Sequence, residues 1–181
     1  MPDRRVRRTR AALATALLAL AAERPFGDLT IRDVTERADV GYATFFRHYP
    51  SKEALLLHVL GGIVDELAER LQPIADAGLL ADAGRELFEF VAANAERLQV
   101  LLSAHHGRAV EDELRAAVAA RVLASPGFRP PDGVPPELAA HHLAVASLAL
   151  VAWWLDRGLP EEPTRMGAIY AHLVVAPTRG S

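Results

Sequence analysis

There is no cysteine among the 181 residues, which excludes disulfides, thiolate metal sites and a cysteine nucleophile. Lysine is nearly absent as well: Lys52 is the only one, so the positive charge is otherwise arginine. No stretch alternates apolar and polar residues over the length of a strand, and no internal repeat is visible. The apolar run from Leu143 to Leu155 is shorter than the roughly 20 residues a bilayer crossing needs, so no membrane partner is expected. The pairs His105-His106 and His141-His142 offer no metal site: neighbours on a helix point about 100° apart, and no spaced third ligand supports them. With no metal, no cofactor and no legible nucleophile-base pair, the sequence does not read as an enzyme.

What remains is 51% hydrophobic and 24% charged, the balance of a globular chain. Alanine, leucine and arginine are abundant, and all three favour helix. Charge is unevenly divided. Residues 1–52 hold 10 Arg/Lys against 6 Asp/Glu, whereas residues 53–181 hold 10 against 17. A basic end can approach a polyanion while the acidic remainder is repelled from it. The plainer reading of Arg4, Arg5, Arg7, Arg8 and Arg10 is a solvated tail. The stretch through Ala22 also has the outline of a secretory leader, with a basic start, an apolar run and Ala19-x-Ala21. However, Leu13, Leu17 and Leu20 repeat at helical steps, which predicts a helix that belongs to the fold.

The spacing predicts helices over about Thr9–Glu23, Thr30–Ala38 and Tyr42–Tyr49. A long fourth follows, capped by Ser51 and ended by Pro73. Further helices are expected from Ala77 or Leu80 to Ser103 (with a possible break near Gly84), from Val110 to Ala124, from Glu137 to Arg157 and from Pro163 to Val175. The proline-rich stretch "SPGFRPPDGVPP" is a loop. The fold class is all-α, with a three-helix amino-terminal domain over 1–52 and a larger helical domain over 53–181.

The most informative stretch is "ADVGYATFFRHYPSKEAL". Tyr42, Phe45, Phe46 and Tyr49 are 4 of the chain's 11 Phe, Tyr and Trp residues, and Arg47, His48 and Lys52 lie among them. Two short helices joined by Asp39-Val40-Gly41 make a helix-turn-helix, which sets its second helix in a major groove. Val34, Ala38, Val40 and Phe45 fall where the helices must pack, and Thr35 stands where a small residue is needed. Asp39 occupies the turn position that favours a positive φ. Phe45 reads as core, and Phe46 and Tyr49 read as packing before contact.

The segment "TIRDVTERADVGYATFFRHYPSKEALL" resembles the DNA-binding region of the TetR (tetracycline-repressor-like) family of bacterial transcriptional regulators. The likeness covers roughly residues 10–57, and its aromatic-aromatic-x-His-aromatic tail before Pro-Ser-Lys-Glu is its selective part. The family pattern usually has Gly at Asp39, Ser at Gly41 and Tyr at Phe46. The resemblance implies that Gly41, Tyr42, Ala43 and Thr44 meet the duplex at the start of the recognition helix, with Arg47 and His48 further along. It also implies that Arg32 and Lys52 contact the backbone. Chemistry agrees in kind, since arginine reads guanine or phosphate with two parallel bonds and threonine offers a methyl to thymine.

The same resemblance implies a ligand-released repressor that binds a palindromic operator as a cytoplasmic homodimer, with a small-molecule effector as its second partner. It implies an effector pocket, for which His58, Phe88, Phe90, Leu101 and Trp153 are the candidates. It also implies a dimer interface built from the last two helices, for which Leu150, Trp154, Met166, Ile169, Tyr170 and Leu173 are the candidates. The helix from Glu137 is apolar nearly all round and needs partners on two sides. The competing reading is a helical-bundle carrier or enzyme without DNA binding.

Overall fold

In the computed structural model, which describes residues 4–76, 80–102 and 108–176, the chain is helical throughout, with no strand among the described residues. The first helix, α1 (Arg4–Glu23), begins well before Thr9. Arginine is a good helix former, so the basic run extends the helix instead of trailing from it. Leu13, Leu17 and Leu20 are buried along one side, each contributing about 1.5–3 kcal/mol of apolar burial. A 3-10 turn over Phe26–Asp28 leads to α2 (Ile31–Arg37) and α3 (Tyr42–Phe45). The third helix is shorter than expected. Residues 46–48 continue as turns, with the His48 and Tyr49 N–H groups both bonding the Phe45 carbonyl at 2.9 Å.

The long α4 (Lys52–Asp76) begins at Ser51, whose hydroxyl accepts the Ala54 N–H at 3.2 Å. It carries on through Pro73, contrary to expectation. Glu69, whose carbonyl loses its donor there, is exposed along with Pro73, so water can take the freed group. The following pair, α5 (Leu80–Ala93) and α6 (Ala95–Leu102), is divided at Asn94 and not at Gly84. The Asn94 side-chain amide donates to the Phe90 carbonyl at 2.9 Å, a local bond that competes with regular helix.

Gly84 serves another purpose. A Cβ there would lie 2.7 Å from the carbonyl oxygen of Gly167, and one at Gly167 would lie 2.6 Å from the Arg85 nitrogen. Gly167 belongs to α9 (Pro163–Tyr170), so α5 and α9 cross with their backbones in contact, glycine against glycine.

The remaining helices are α7 (Arg108–Ala124) and α8 (Pro136–Asp156), and after α9 a short π turn covers Ala171–Val175. At 21 residues, α8 is long and apolar enough to cross a membrane by length and composition. In this fold its Ala140, Ala144 and Trp154 are fully buried, while Leu138, Val145 and Trp153 are exposed. It therefore has partners on one side and a bare apolar face on the other. Gly158, at φ 72°, ends it: the Gly158 N–H bonds Leu155 and the Leu159 N–H bonds Trp154, both at 3.0 Å. That pair of bonds is the left-handed glycine stop expected of helix ends.

The head formed by α1 to α3 shares one apolar core with α4, through Val34, Phe45, Leu55 and Leu56. The body centres on an aromatic group. Phe88 meets the edge of Trp154 at 5.1 Å and Tyr170 at 6.0 Å. The Trp154 indole N–H donates to the Glu161 carbonyl at 3.0 Å, and the Tyr170 hydroxyl bonds Ser147 at 3.1 Å. These contacts correct two expectations at once. Phe88 is core and not a pocket wall, and Trp154, Met166 and Tyr170 are buried within their own chain and have no surface to offer a second copy.

Candidate nucleic-acid interface

The site starts with the cap of α2. The Thr30 hydroxyl accepts the Asp33 N–H at 3.1 Å, and Asp33 takes the Thr30 N–H at 2.8 Å, a reciprocal capping box. Hydrogen bonds from Thr30, with Arg24 beside it, hold the Asp33 carboxyl down at about 2. At its other end α2 closes on Asp39. The Asp39 N–H bonds Glu36 at 3.2 Å and the Val40 N–H bonds Thr35 at 3.0 Å, while Asp39 itself sits at φ 52°. This is the two-bond stop usually made with glycine, built here on an aspartate that accepts left-handed backbone at some cost. Thr35 is buried under the crossing, its hydroxyl donating to the Arg32 carbonyl at 2.9 Å.

The turn delivers α3 with Phe45 inward and its neighbours outward. Phe45 is fully buried, but Tyr42 is 52% exposed and Phe46 is 47% exposed. Those two rings meet edge to face at 5.3 Å, and Phe46 stacks in the same way on Phe45 at 5.5 Å. Gly41, Ala43 and Arg47 are exposed beside them, and Thr44 and His48 are half-buried. Arg32 is exposed on α2. Phe46 is a surface residue that the sequence reading assigned to packing. Its position was legible: one step past the buried Phe45, a helical residue turns about 100° away from the core.

Not every basic residue of the head is available. Arg37 forks onto the Glu23 carboxylate with two bonds of 2.9 Å, and Arg24 pairs with Asp33 at 2.8 Å. Arg32 and Arg47 form no ion pair among the described residues. Lys52 needs a correction. Its ammonium donates to the carbonyls of Phe26 (3.0 Å), Gly27 (3.1 Å) and Leu29 (2.7 Å), and lies 4.7 Å from the centre of the Phe26 ring. An ammonium has three donors and all three are spent. Lys52 fastens the Phe26–Asp28 turn to the start of α4, sharing the Phe26 carbonyl with the Leu29 N–H of the turn itself.

Tyr49 is braced on three sides. Its ring packs against Phe45 at 5.9 Å and His58 at 5.5 Å, with the Arg10 guanidinium 5.9 Å above it. Burial pushes the Tyr49 hydroxyl up and the neighbouring His58 imidazole down. His58 thus lies beside the head, packed on Tyr49.

The cavity in the body lies elsewhere than expected. It encloses about 260 Å³ between α4, α5, α7, α8 and the segment after α9, and its walls include Leu67, Leu71, Leu87, Val118, Leu143 and Tyr170. None of His58, Phe88, Phe90, Leu101 and Trp153 lines it. Phe88, Phe90 and Leu101 are fully or almost fully buried in the core, and Trp153 faces outward at 43% exposed, stacked under Arg157 at 4.9 Å. Trp153, expected within a pocket, thus faces outward, and Trp154, expected at an interface, is buried in the core. Adjacent helical residues face different directions, and composition cannot say which one faces in. Of the paired histidines, His141 and His142 are both exposed, and His105-His106 fall outside the described residues.

Residues 13–59 match the family model described as bacterial regulatory proteins, tetR family. The HTH-type transcriptional regulator EthR of Mycobacterium tuberculosis is 38% identical over 76 residues, which is 42% of this chain and 34% of EthR. The matched stretch spans about a third or less of the curated relatives. Those relatives are named as regulators of transcription and not as enzymes.

Likeness of fold runs further. NalD, the secondary repressor of the MexAB-OprM efflux pump in Pseudomonas aeruginosa, superposes with a TM-score of 0.66 at 17% identity, over 96% of each chain. Thermus thermophilus FadR, solved with lauroyl-CoA, superposes at 0.62 with 22% identity, over 92% of this chain and 93% of its own. The helix-turn-helix head thus lies inside a region similar to the tetR family of bacterial regulatory proteins, and the chain shares the helical fold of these solved repressors along nearly its whole length.

Proposed function

We propose that this chain is a transcriptional repressor that binds a palindromic operator as a homodimer in the cytoplasm and leaves it when a small molecule fills the cavity of the body. One observation carries the reading. The head spends its interior aromatics on packing and two of its arginines on ion pairs, yet leaves Tyr42, Phe46 and Arg47 uncovered around α3. Large exposed rings are costly in water, and a basic surface that keeps them invites a partner with grooves and phosphates.

In this proposal Gly41, Tyr42, Ala43 and Thr44 approach base edges, with Phe46 added to them. Arg32, Arg47 and His48 take positions along the backbone, and Lys52 supports the head from within. The head covers 1–52, and the body, 53–181, holds the effector and the dimer contact. That contact uses the outward face of α8 (Leu138, Val145 and Trp153) with Leu173, which is 61% exposed; Ile169 is half-buried against its own core and adds only an edge. Leu150, half-buried against its own core, contributes little. A ligand acts by preferring one spacing of the two heads over the other; equal affinity for both would change nothing. FadR, with its acyl-CoA, supports an apolar effector here.

The test is to capture fragments of the source genome on the purified protein and sequence them. A recurrent inverted repeat is expected, and retention without any common sequence would overturn the reading.

A further inference from the structure

The cavity has a chemical polarity that its apolar walls obscure. Among the described residues two of its lining side chains are charged, and both are arginines: Arg121 in the last turn of α7, and Arg129 in the loop beyond it. Ser125, one turn after Arg121, lines it as well, and no carboxylate does among the described residues. Arg121 turns its Nε and Nη2 toward Asp65 of α4, with the Nε bond at 2.7 Å. Arg129 spends only Nη1, on the carbonyls of Pro126 (2.6 Å) and Phe128 (2.8 Å). Each guanidinium therefore keeps N–H groups without a protein partner among the bonds described.

Resting on the reading of this cavity as the effector site, we propose that its occupant is an amphiphile with an apolar body and a single anionic head, a carboxylate, held by Arg121 and Arg129. The apolar walls take the body, and the charge of the head is set by its hosts, since carboxylates pair with guanidinium by two parallel bonds. At about 260 Å³ the space is just below the usual range of ligand cavities, about 300 to 1,000 Å³, so a single short chain fits it. The Asp65–Arg121 pair is largely exposed, and exposed pairs are weak. An incoming carboxylate can therefore take Arg121 from Asp65, and this releases a tie between α7 and the helix that begins at the DNA-reading head.

The experiment is calorimetric titration of the full-length protein with decanoate and with 1-decanol, which share an apolar chain and differ in charge. Decanoate is expected to bind at least tenfold more tightly. Arg121→Gln with Arg129→Gln should bring decanoate down to the level of the alcohol and leave the alcohol unchanged. Asp65→Asn removes the competitor for Arg121 and should tighten decanoate several-fold. Equal binding of the two probes, binding of neither, or a preference that survives the double substitution would each overturn the proposal. Operator binding measured on the same preparations separates the two questions. DNA bound without any preference for decanoate rejects the ligand class alone, whereas decanoate bound without DNA rejects the repressor reading.

Discussion

Lys52 and Arg47 carry the same charge on the same head, and their surroundings assign them opposite work. Lys52 has its three donors on the carbonyls of Phe26, Gly27 and Leu29; the Phe26 carbonyl keeps the Leu29 N–H, so Lys52→Met takes the ammonium from all three and leaves Gly27 and Leu29 the most exposed to its loss. It should cost about 1–3 kcal/mol in urea unfolding and leave the salt dependence of DNA binding by the folded protein unchanged. Arg47→Ala should do the reverse: stability within about 0.5 kcal/mol, with the slope of log affinity against log salt reduced by about 1. A lost unit of slope for Lys52→Met at full stability would return the lysine to the phosphates. The aromatic cluster around Arg47 was legible because four rings in a short stretch cannot all face inward. The role of Lys52 was not, because its partners come from a turn two helices upstream.

At the level of elements, the same substitution has opposite signs in two helices. A Cβ at Gly167 collides with the backbone of α5, whereas one at Gly62 in the middle of α4 meets nothing within 4 Å. Gly167→Ala must push α9 off α5 and should cost about 1–3 kcal/mol. Gly62→Ala should gain up to about 1 kcal/mol from helix propensity alone. Thermal melts of both variants check the pair, and a stable Gly167→Ala would mean that the two helices can part without loss.

The cap of α2 adds a dependence on pH. Asp33 is held at about 2 against an ordinary 3.8, so its bonds stabilise the folded state fully above about pH 4. That stabilisation is lost as the pH falls through 2. Over that window Asp33→Asn should lose less stability on acidification than the parent protein, as read by urea midpoints at each pH. The start and stop of α2 were legible from Thr30, Asp33 and Asp39, whose side chains act within a few residues. The glycine crossing was not, because Gly84 and Gly167 explain each other only once α5 and α9 are brought together.

For the molecule as a whole, the question is what covers the outer face of α8. Its apolar character all round was plain in the sequence, but which tryptophan faces out is decided by how α8 rotates against α7 and α9. Trp154 is sealed between Phe88 and the Glu161 carbonyl, so Trp154→Ala should cost about 3–5 kcal/mol and unfold a large fraction of the chain. Trp153 stands outside with Leu138, Val145 and Leu173. A two-fold axis through such a face would bury the same residues twice. Trp153→Arg removes that self-complementarity and sets like charges across the axis without disturbing the interior. The variant should keep its helical circular dichroism and sediment as a monomer. Its affinity for a two-half-site operator should fall while its affinity for a single half-site holds, because one particle no longer carries two heads. An unaltered sedimentation profile would show that the copies meet elsewhere, and loss of helical signal would show that Trp153 belongs to the core.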